Sequence, residues 1–348
     1  MSFPEPAHAD VPLAEITRGD RVESVHYGSV AVTDDTGKLL LSLGDVETPV
    51  FPRSTVKALQ ALPLIETGAT DHFGLTGPEL ALACASHAGE PEHAATALQM
   101  LRRTGRDADS LECGTHWPTR PEATRSLAAQ GESPCALHNN CSGKHAGFIC
   151  TACAEQTDPA GYIRPDHPVM QRVTQTLAEM TGIPHTDRNR GTDGCSIPTY
   201  AIPLQALARA FACFGTGTGL HPDRARAATR LREAVAGHPF MISGTDGFDT
   251  VVMQSTGIKA FTKIGAEGVL IASLPDSGLG IAIKCRDGAL RGAESAMAAL
   301  LLRFGGTDIP DSAPLASQMT RTLTNWNGTT VGTVRPSFFL KKSLTRPA

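Results

Sequence analysis

The stretch Gly257-Ile258-Lys259-Ala260-Phe261-Thr262-Lys263-Ile264-Gly265-Ala266-Glu267-Gly268-Val269-Leu270-Ile271-Ala272-Ser273-Leu274-Pro275-Asp276-Ser277-Gly278-Leu279-Gly280-Ile281-Ala282-Ile283-Lys284-Cys285 decides the fold. It reads as three β-rich runs, Gly257 to Ile264, Gly268 to Leu274 and Leu279 to Cys285. They are cut by the turn segments Gly265-Ala266-Glu267 and Pro275-Asp276-Ser277-Gly278. Arg291 to Phe304 follows as an Ala/Leu-rich helix. Near the other end, Val22 to Thr33 and Lys38 to Leu43 flank Asp34-Asp35-Thr36-Gly37 as a hairpin. The middle reads as helices: Ser54 to Gly68, Thr76 to Ala85, Pro91 to Thr104, Lys144 to Ala154, Pro168 to Met180, Pro203 to Ala212 and Asp223 to Ala236. Antiparallel neighbours at both termini predict one sheet built from the two chain ends, an α+β arrangement. The expected division is a sheet region, 1–55 plus 255–348, and a mainly helical region, 56–254. Together they are expected to form one compact unit with a cleft between them.

The chain has 348 residues, 41% hydrophobic and 19% charged, which suits a globular protein of one large domain or two packed ones. A net charge of -4 with no basic run beyond Lys341-Lys342 argues against nucleic acid and anionic membranes as partners. No apolar stretch reaches the ~20 residues of a membrane span, and Met1 to Asp10 carries no export signal, so a cytoplasmic location is expected. Nine cysteines, an odd number, read better as buried apolar residues or metal ligands than as disulfides.

Four segments concentrate polar chemistry. Ser54 and Lys57, in Phe51-Pro52-Arg53-Ser54-Thr55-Val56-Lys57, fall on one face of a helical turn, where an amine can take a hydroxyl's proton. A helix start with Ser54 as N-cap is the plain alternative. In Ser86-His87-Ala88-Gly89-Glu90-Pro91-Glu92-His93, Glu92 and His93 suit helix capping, whereas Ser86 ends a helix. His138-Asn139-Asn140-Cys141-Ser142-Gly143-Lys144-His145, with Cys195 of Gly191-Thr192-Asp193-Gly194-Cys195-Ser196, offers two sulfurs for a borderline ion such as zinc. By composition His138 or His145 is the third ligand; buried free cysteines are the alternative. Lys263-Ile264-Gly265 puts an ammonium near a strand end, with a glycine that permits close backbone approach.

Taken in order, PRSTVK, SHAGEPEH, HNNCSGKHAGF, GTDGCSIPTYAIPL, GHPFMISGTDGFDT and KIGAEG resemble the L-asparaginase II family, the thermolabile Rhizobium-type class, from about Val22 to Gly305. The resemblance implies a serine β-lactamase-like fold, akin to penicillin-recognising serine enzymes and serine-dependent glutaminases, which also use Ser-x-x-Lys and a strand lysine. It implies two Ser–Lys tandems, Ser54 with Lys57 and Ser86 with Lys263. It also implies a zinc site of Cys141, Lys144 and Cys195, in which lysine replaces the histidine expected from composition. Arg53, His87 and Asp193 lie in the matched motifs as site-lining residues. A homodimer is expected on the same basis. Phe240, where the motif leads one to expect an acidic residue, and Gly247, in place of a basic one, depart from the pattern around Ser243 to Asp249.

The expected reaction is hydrolysis of the L-asparagine side-chain amide to aspartate and ammonia. Ser54 is the nucleophile, Lys57 the base, and Ser86 with Lys263 the proton relay to the leaving amine. A lysine takes a proton only when neutral, and the second lysine serves as a cation that favours neutrality in the first. Arg53 suits the substrate α-carboxylate, and Asp193 or Glu267 its ammonium. Zinc is expected to organise loops or aid substrate binding. The competing readings are a penicillin-recognising acylase or peptidase, a glutaminase, and a non-catalytic zinc- or amino-acid-binding protein.

Overall fold

The computed structural model describes residues 10–310 and 312–345, so residues 1–9, read above for an export signal, lie outside the described residues. The strands are β1 (Val11–Arg18), β2 (Arg21–Asp34), β3 (Leu39–Leu43), β4 (Arg190–Thr192), β5 (Pro198–Tyr200), β6 (Phe261–Ile264), β7 (Val269–Leu274), β8 (Leu279–Cys285), β9 (Arg321–Thr324) and β10 (Thr330–Pro336). The chain divides into two compact units. One holds the chain up to Thr55, Ile202–Thr216 and Thr262 onward; the other holds Val56–Ala201 and Gly217–Phe261.

The first unit is built on an eight-stranded sheet in the order β6-β7-β8-β2-β1-β10-β9, with β3 also paired to β2. Sequence-distant strands meet at its centre, where antiparallel β2 and β8 register Ala31 with Ala282 and Val32 with Ile281. The fold class is therefore the expected α+β one, with both chain ends in one sheet. Every residue of β7 is buried, as is every residue of β8 but Lys284, so both faces of the sheet are covered there. Helices Leu204–Thr216 and Leu290–Phe304 each pack against β7 and β8. Buried alanines on both, Ala208, Ala210 and Ala212 on the first and Ala293, Ala296 and Ala298 on the second, allow close approach to the sheet.

The second unit is helical around Ser142–Ala154, which is buried at every position from Ser142 to Ala152. Gly77–Ala83, Pro91–Arg103 and Pro168–Thr181 pack about it. A helix buried on every side has to sit inside its bundle. The short β4–β5 hairpin belongs to this unit and pairs Gly191 with Thr199.

Two expectations are corrected. The helix predicted over Ser54 to Gly68 is broken into a 3-10 turn, Arg53–Val56, and two short helices, Lys57–Gln60 and Leu62–Glu66. Pro63 has no N–H to continue the first helix and instead sits in the opening turn of the next. The strand predicted from Gly257 begins only at Phe261, because Gly257 has φ +59 and Gly257–Lys259 forms a 3-10 turn. All nine cysteines are free. No helix among the described residues is long and apolar enough to cross a membrane.

Candidate active site

In the sheet unit, Ser54 follows Arg53, which has φ +52, a left-handed conformation that costs a non-glycine residue about 1–2 kcal/mol. Strain of this kind is held only where neighbours over-determine it. Here Thr55 donates both its N–H (3.2 Å) and its hydroxyl (2.8 Å) to the Pro52 carbonyl, closing the turn around Arg53 and Ser54. Gly265 lies against the same turn: a Cβ there would stand 2.8 Å from Thr55 Cγ2 and 2.9 Å from the Pro52 oxygen. Lys263, two residues earlier on β6, is fully buried and donates to the Ile264 carbonyl at 2.8 Å. The glycine is what lets the strand end that carries Lys263 meet the Ser54 turn. Glu267 is exposed, at φ +59, and its carbonyl accepts a bond from Lys284 Nζ.

In the helical unit, Lys57 is fully buried. Its Nζ donates to Ser86 Oγ at 3.0 Å, to the Ala85 carbonyl at 2.6 Å and to the Asn140 carbonyl at 3.2 Å. The structure thus joins Lys57 to Ser86, a pairing that runs across the two tandems of the sequence reading. Ser86 is itself fixed by its N–H, which donates to the Ile242 carbonyl at 2.9 Å. Next to it, His87 accepts from the Gly89 N–H at Nδ1 (3.2 Å), so Nε2 carries the proton and meets Ser142 Oγ at 2.9 Å. Ser142 in turn donates to the Leu137 carbonyl at 2.9 Å. Burial, with the charges of His93 and Lys57, holds the His87 imidazole well below its usual range. A neutral ring with both nitrogens engaged ties the Ser86 loop to the head of the central helix.

The same helix head and the β4–β5 connection supply the sulfur cluster. Cys141, Lys144 and Cys195 are all buried, and Lys144 Nζ donates to Cys195 Sγ at 3.1 Å. The Cys141 thiol is held well below the ordinary thiol range, first by its hydrogen bond from Cys195 and, against burial, by the charges of Lys57 and Lys144. Cys195, the donor of that bond and also buried, is pushed up. Burial works against the Lys144 ammonium, but Cys195, Cys141 and Asp193 outweigh it and raise it. Asp193, expected at a substrate ammonium, accordingly lies within electrostatic reach of Lys144, and its Oδ1 accepts from the Gly194 N–H at 2.7 Å.

The two histidines suggested by composition are otherwise engaged. His138 Nδ1 accepts from the Cys135 N–H at 3.0 Å. Tyr162 accepts from the Glu112 N–H (2.8 Å) and so gives its own proton to His145 Nδ1 (2.6 Å). The sequence reading missed Ala85 and Asn140, which act through backbone carbonyls that no side-chain type announces.

The L-asparaginase II family model matches residues 14–336. The chain belongs to the L-asparaginase II family. It is therefore an amidohydrolase of the asparaginase type, and its substrate is an amino acid. No curated protein matches the chain. Among solved structures, this asparaginase-family chain is similar to a β-lactamase from Mycobacterium bovis, at 12% identity and TM-score 0.42, covering 80% of this chain and 95% of that one. It is also similar to Mglu in its native form, at 16% identity and TM-score 0.38, covering 82% of this chain and 63% of Mglu. A third is a mutant simvastatin synthase from Aspergillus terreus, at 11% identity and TM-score 0.38, covering 74% and 86%.

Proposed function

We propose that the chain hydrolyses the side-chain amide of L-asparagine to L-aspartate and ammonia through a serine nucleophile served by lysines. The observation that carries this reading is the buried Lys57 Nζ, 3.0 Å from Ser86 Oγ, in a member of an asparaginase family. Ser54 Oγ attacks the amide carbon, and Lys57 takes the hydroxyl proton. The tetrahedral intermediate collapses with cleavage of the C–N bond, Ser86 passing a proton to the departing nitrogen and Lys263 serving as its partner. Water then hydrolyses the aspartyl ester and restores Ser54. The Ser54 N–H stabilises the oxyanion. Arg53 takes the substrate α-carboxylate, and Asp193 or Glu267 its ammonium.

Zinc is a separate proposal. Two sulfurs and one amine converge at Cys141, Cys195 and Lys144, a donor set that fits zinc. No cluster of three or more His, Cys, Asp and Glu side chains able to hold a metal occurs among the described residues, so the fit depends on the lysine. When bound there, zinc supplies a fixed positive charge that holds the Cys141 and Cys195 loops together. The hydrolytic steps belong to the serines and lysines.

The deciding assay is ammonia release from asparagine and from glutamine by wild type, Ser54→Ala and Ser86→Ala. Removing the nucleophile is expected to abolish release, and removing the relay to cut it by at least about 10²-fold. A Ser54→Ala protein that turns over near the wild-type rate overturns the nucleophile assignment. Glutamine is longer by one methylene, a difference worth only ~1–3 kcal/mol in a pocket, so the two amides are compared by kcat/KM.

A further inference from the structure

A cavity of about 170 Å³ lies in the helical unit, on the side of the Ser86–Gly89 loop formed by Gly89 itself. That is far above the ~10–15 Å³ that admits one water. Pro91, Pro118 and Leu127 give it an apolar wall, and His138 and Glu132 a polar one. Neither the Glu132 carboxylate nor His138 Nε2 has a hydrogen-bond partner among the described residues, since His138 is held through Nδ1. A carboxylate and an imidazole N–H, set in a small cavity lined also by Ser126, Gln130 and an apolar wall, match the ammonium and carboxylate of an amino acid with an apolar side chain.

Two features connect the cavity with the Ser86 loop. Gly89, at φ +74, packs so closely on the far wall that a Cβ would stand 2.8 Å from the His138 carbonyl and 3.0 Å from Pro118 Cα. Only glycine fits there, so the wall and the loop move together. The other feature is the helix Pro121–Ala129, which supplies Leu127 yet has no buried residue. It is tethered at its start by Arg120, whose guanidinium reaches Glu90 (3.8 Å), the Thr245 carbonyl (2.9 Å) and Asp246 (3.5 Å). A helix with so little burial opens at low free-energy cost.

We propose that this cavity is an effector site for a free amino acid with an apolar side chain, and that its occupancy is transmitted through Gly89 to Ser86. Glu132 binds the ammonium, His138 Nε2–H the carboxylate, and the Pro91–Pro118–Leu127 wall the side chain. The effector acts by fixing the Ser86–Gly89 loop, so it changes the rate of ammonia release without competing with substrate.

The test is calorimetric titration of the protein with L-valine and L-leucine, alongside isobutylamine and isovalerate, each of which lacks one of the two charged groups. Saturable binding of the amino acids is expected, with both single-charge analogues at least tenfold weaker. Glu132→Gln should weaken L-valine binding about tenfold. Leu127→Trp, which fills the cavity, should abolish binding, and L-valine should then no longer change the rate of ammonia release that it changes in the wild type. The absence of saturable binding by the wild type overturns the proposal. So does binding that survives Leu127→Trp, which would place the ligand elsewhere. Calorimetry does not depend on turnover, so its failure is distinct from a failure of asparagine hydrolysis, which wild-type ammonia release reports by itself.

Discussion

Gly265→Ala tests whether the Ser54 turn belongs to the catalytic machinery. The added methyl would stand 2.8 Å from Thr55 Cγ2, 2.9 Å from the Pro52 oxygen and 3.3 Å from the Thr55 nitrogen. Carbon atoms pack best at about 3.5–4.0 Å, so the methyl contact alone is short by about 1 Å. Two of the three atoms are backbone, and the Pro52 oxygen is already fixed by two bonds from Thr55. The turn therefore has to move as a body, carrying Arg53 and Ser54 with it. Overpacking of this kind costs about 1–3 kcal/mol of stability, and a displacement near 1 Å at a reacting group costs about 10²-fold in rate. The expected outcome is a folded protein, modestly less stable in urea, whose kcat for ammonia release falls by about 10²-fold. Gly147→Ala is the control: its methyl would meet Leu64 Cδ2 at 3.4 Å, an ordinary contact, within a helix where alanine is favoured. Should Gly265→Ala lose stability yet keep kcat within twofold of wild type, Ser54 does not act from this turn.

Three further outcomes are expected. His87 and His93 are both held below the ordinary histidine range, chiefly by burial. The unfolded chain therefore takes up protons first as pH falls below ~6.5, and the stability present above that value is lost with a slope approaching ~1.4 kcal/mol per pH unit for each histidine; urea unfolding at pH 7.5 and 5.5 measures it, and equal stabilities would show that the rings are not buried neutral. The thiols of Cys113, Cys150 and Cys285 are pushed up to about 12 by burial, so an aromatic disulfide reagent at pH 8 should label the half-buried Cys135 and Cys153 and spare those three, as peptide mapping would show; labelling of Cys113 as fast as Cys153 contradicts the burial. Chelation of the purified protein should lower its melting temperature and raise KM while some turnover survives, whereas complete loss of turnover, fully restored by zinc, would make the metal the hydrolytic centre.

The parts of the fold legible in the sequence are those whose order is local. Strands β7 and β8 are short apolar runs bounded by turn residues, and the β2–β3 hairpin carries its own Asp-Asp-Thr-Gly turn. Strands β1 and β10 were not legible, because Pro12, Gly332 and Pro336 interrupt any strand pattern. They exist because β1 registers Ala14 with Pro336 on one side and with His26 on the other, partners distant in sequence. The site divides in the same way. Ser86 was legible as a serine closing a helix in a polar loop, but its bond to Lys57 was not. That bond goes with the Ala85 and Asn140 carbonyls converging on the same Nζ. Composition pointed to a histidine beside the two cysteines, and only the ordered motifs pointed to Lys144, which does touch Cys195.

Three lysines, Lys57, Lys144 and Lys263, are among the largest fully buried side chains of this chain. Burying an ammonium costs several kcal/mol even when paired, and an apolar residue of like volume in its place is often neutral or stabilising. Helical bundles and sheets of this kind gain nothing in stability from three such groups. Each instead faces chemistry: Lys57 meets Ser86 Oγ, Lys144 meets Cys195 Sγ, and Lys263 stands two residues before the glycine packed on the Ser54 turn. A protein that only bound zinc or an amino acid would need Lys144 at most. On the proposed hydrolytic reading, the cost of burying Lys57 and Lys263 belongs to turnover, which binding alone does not require.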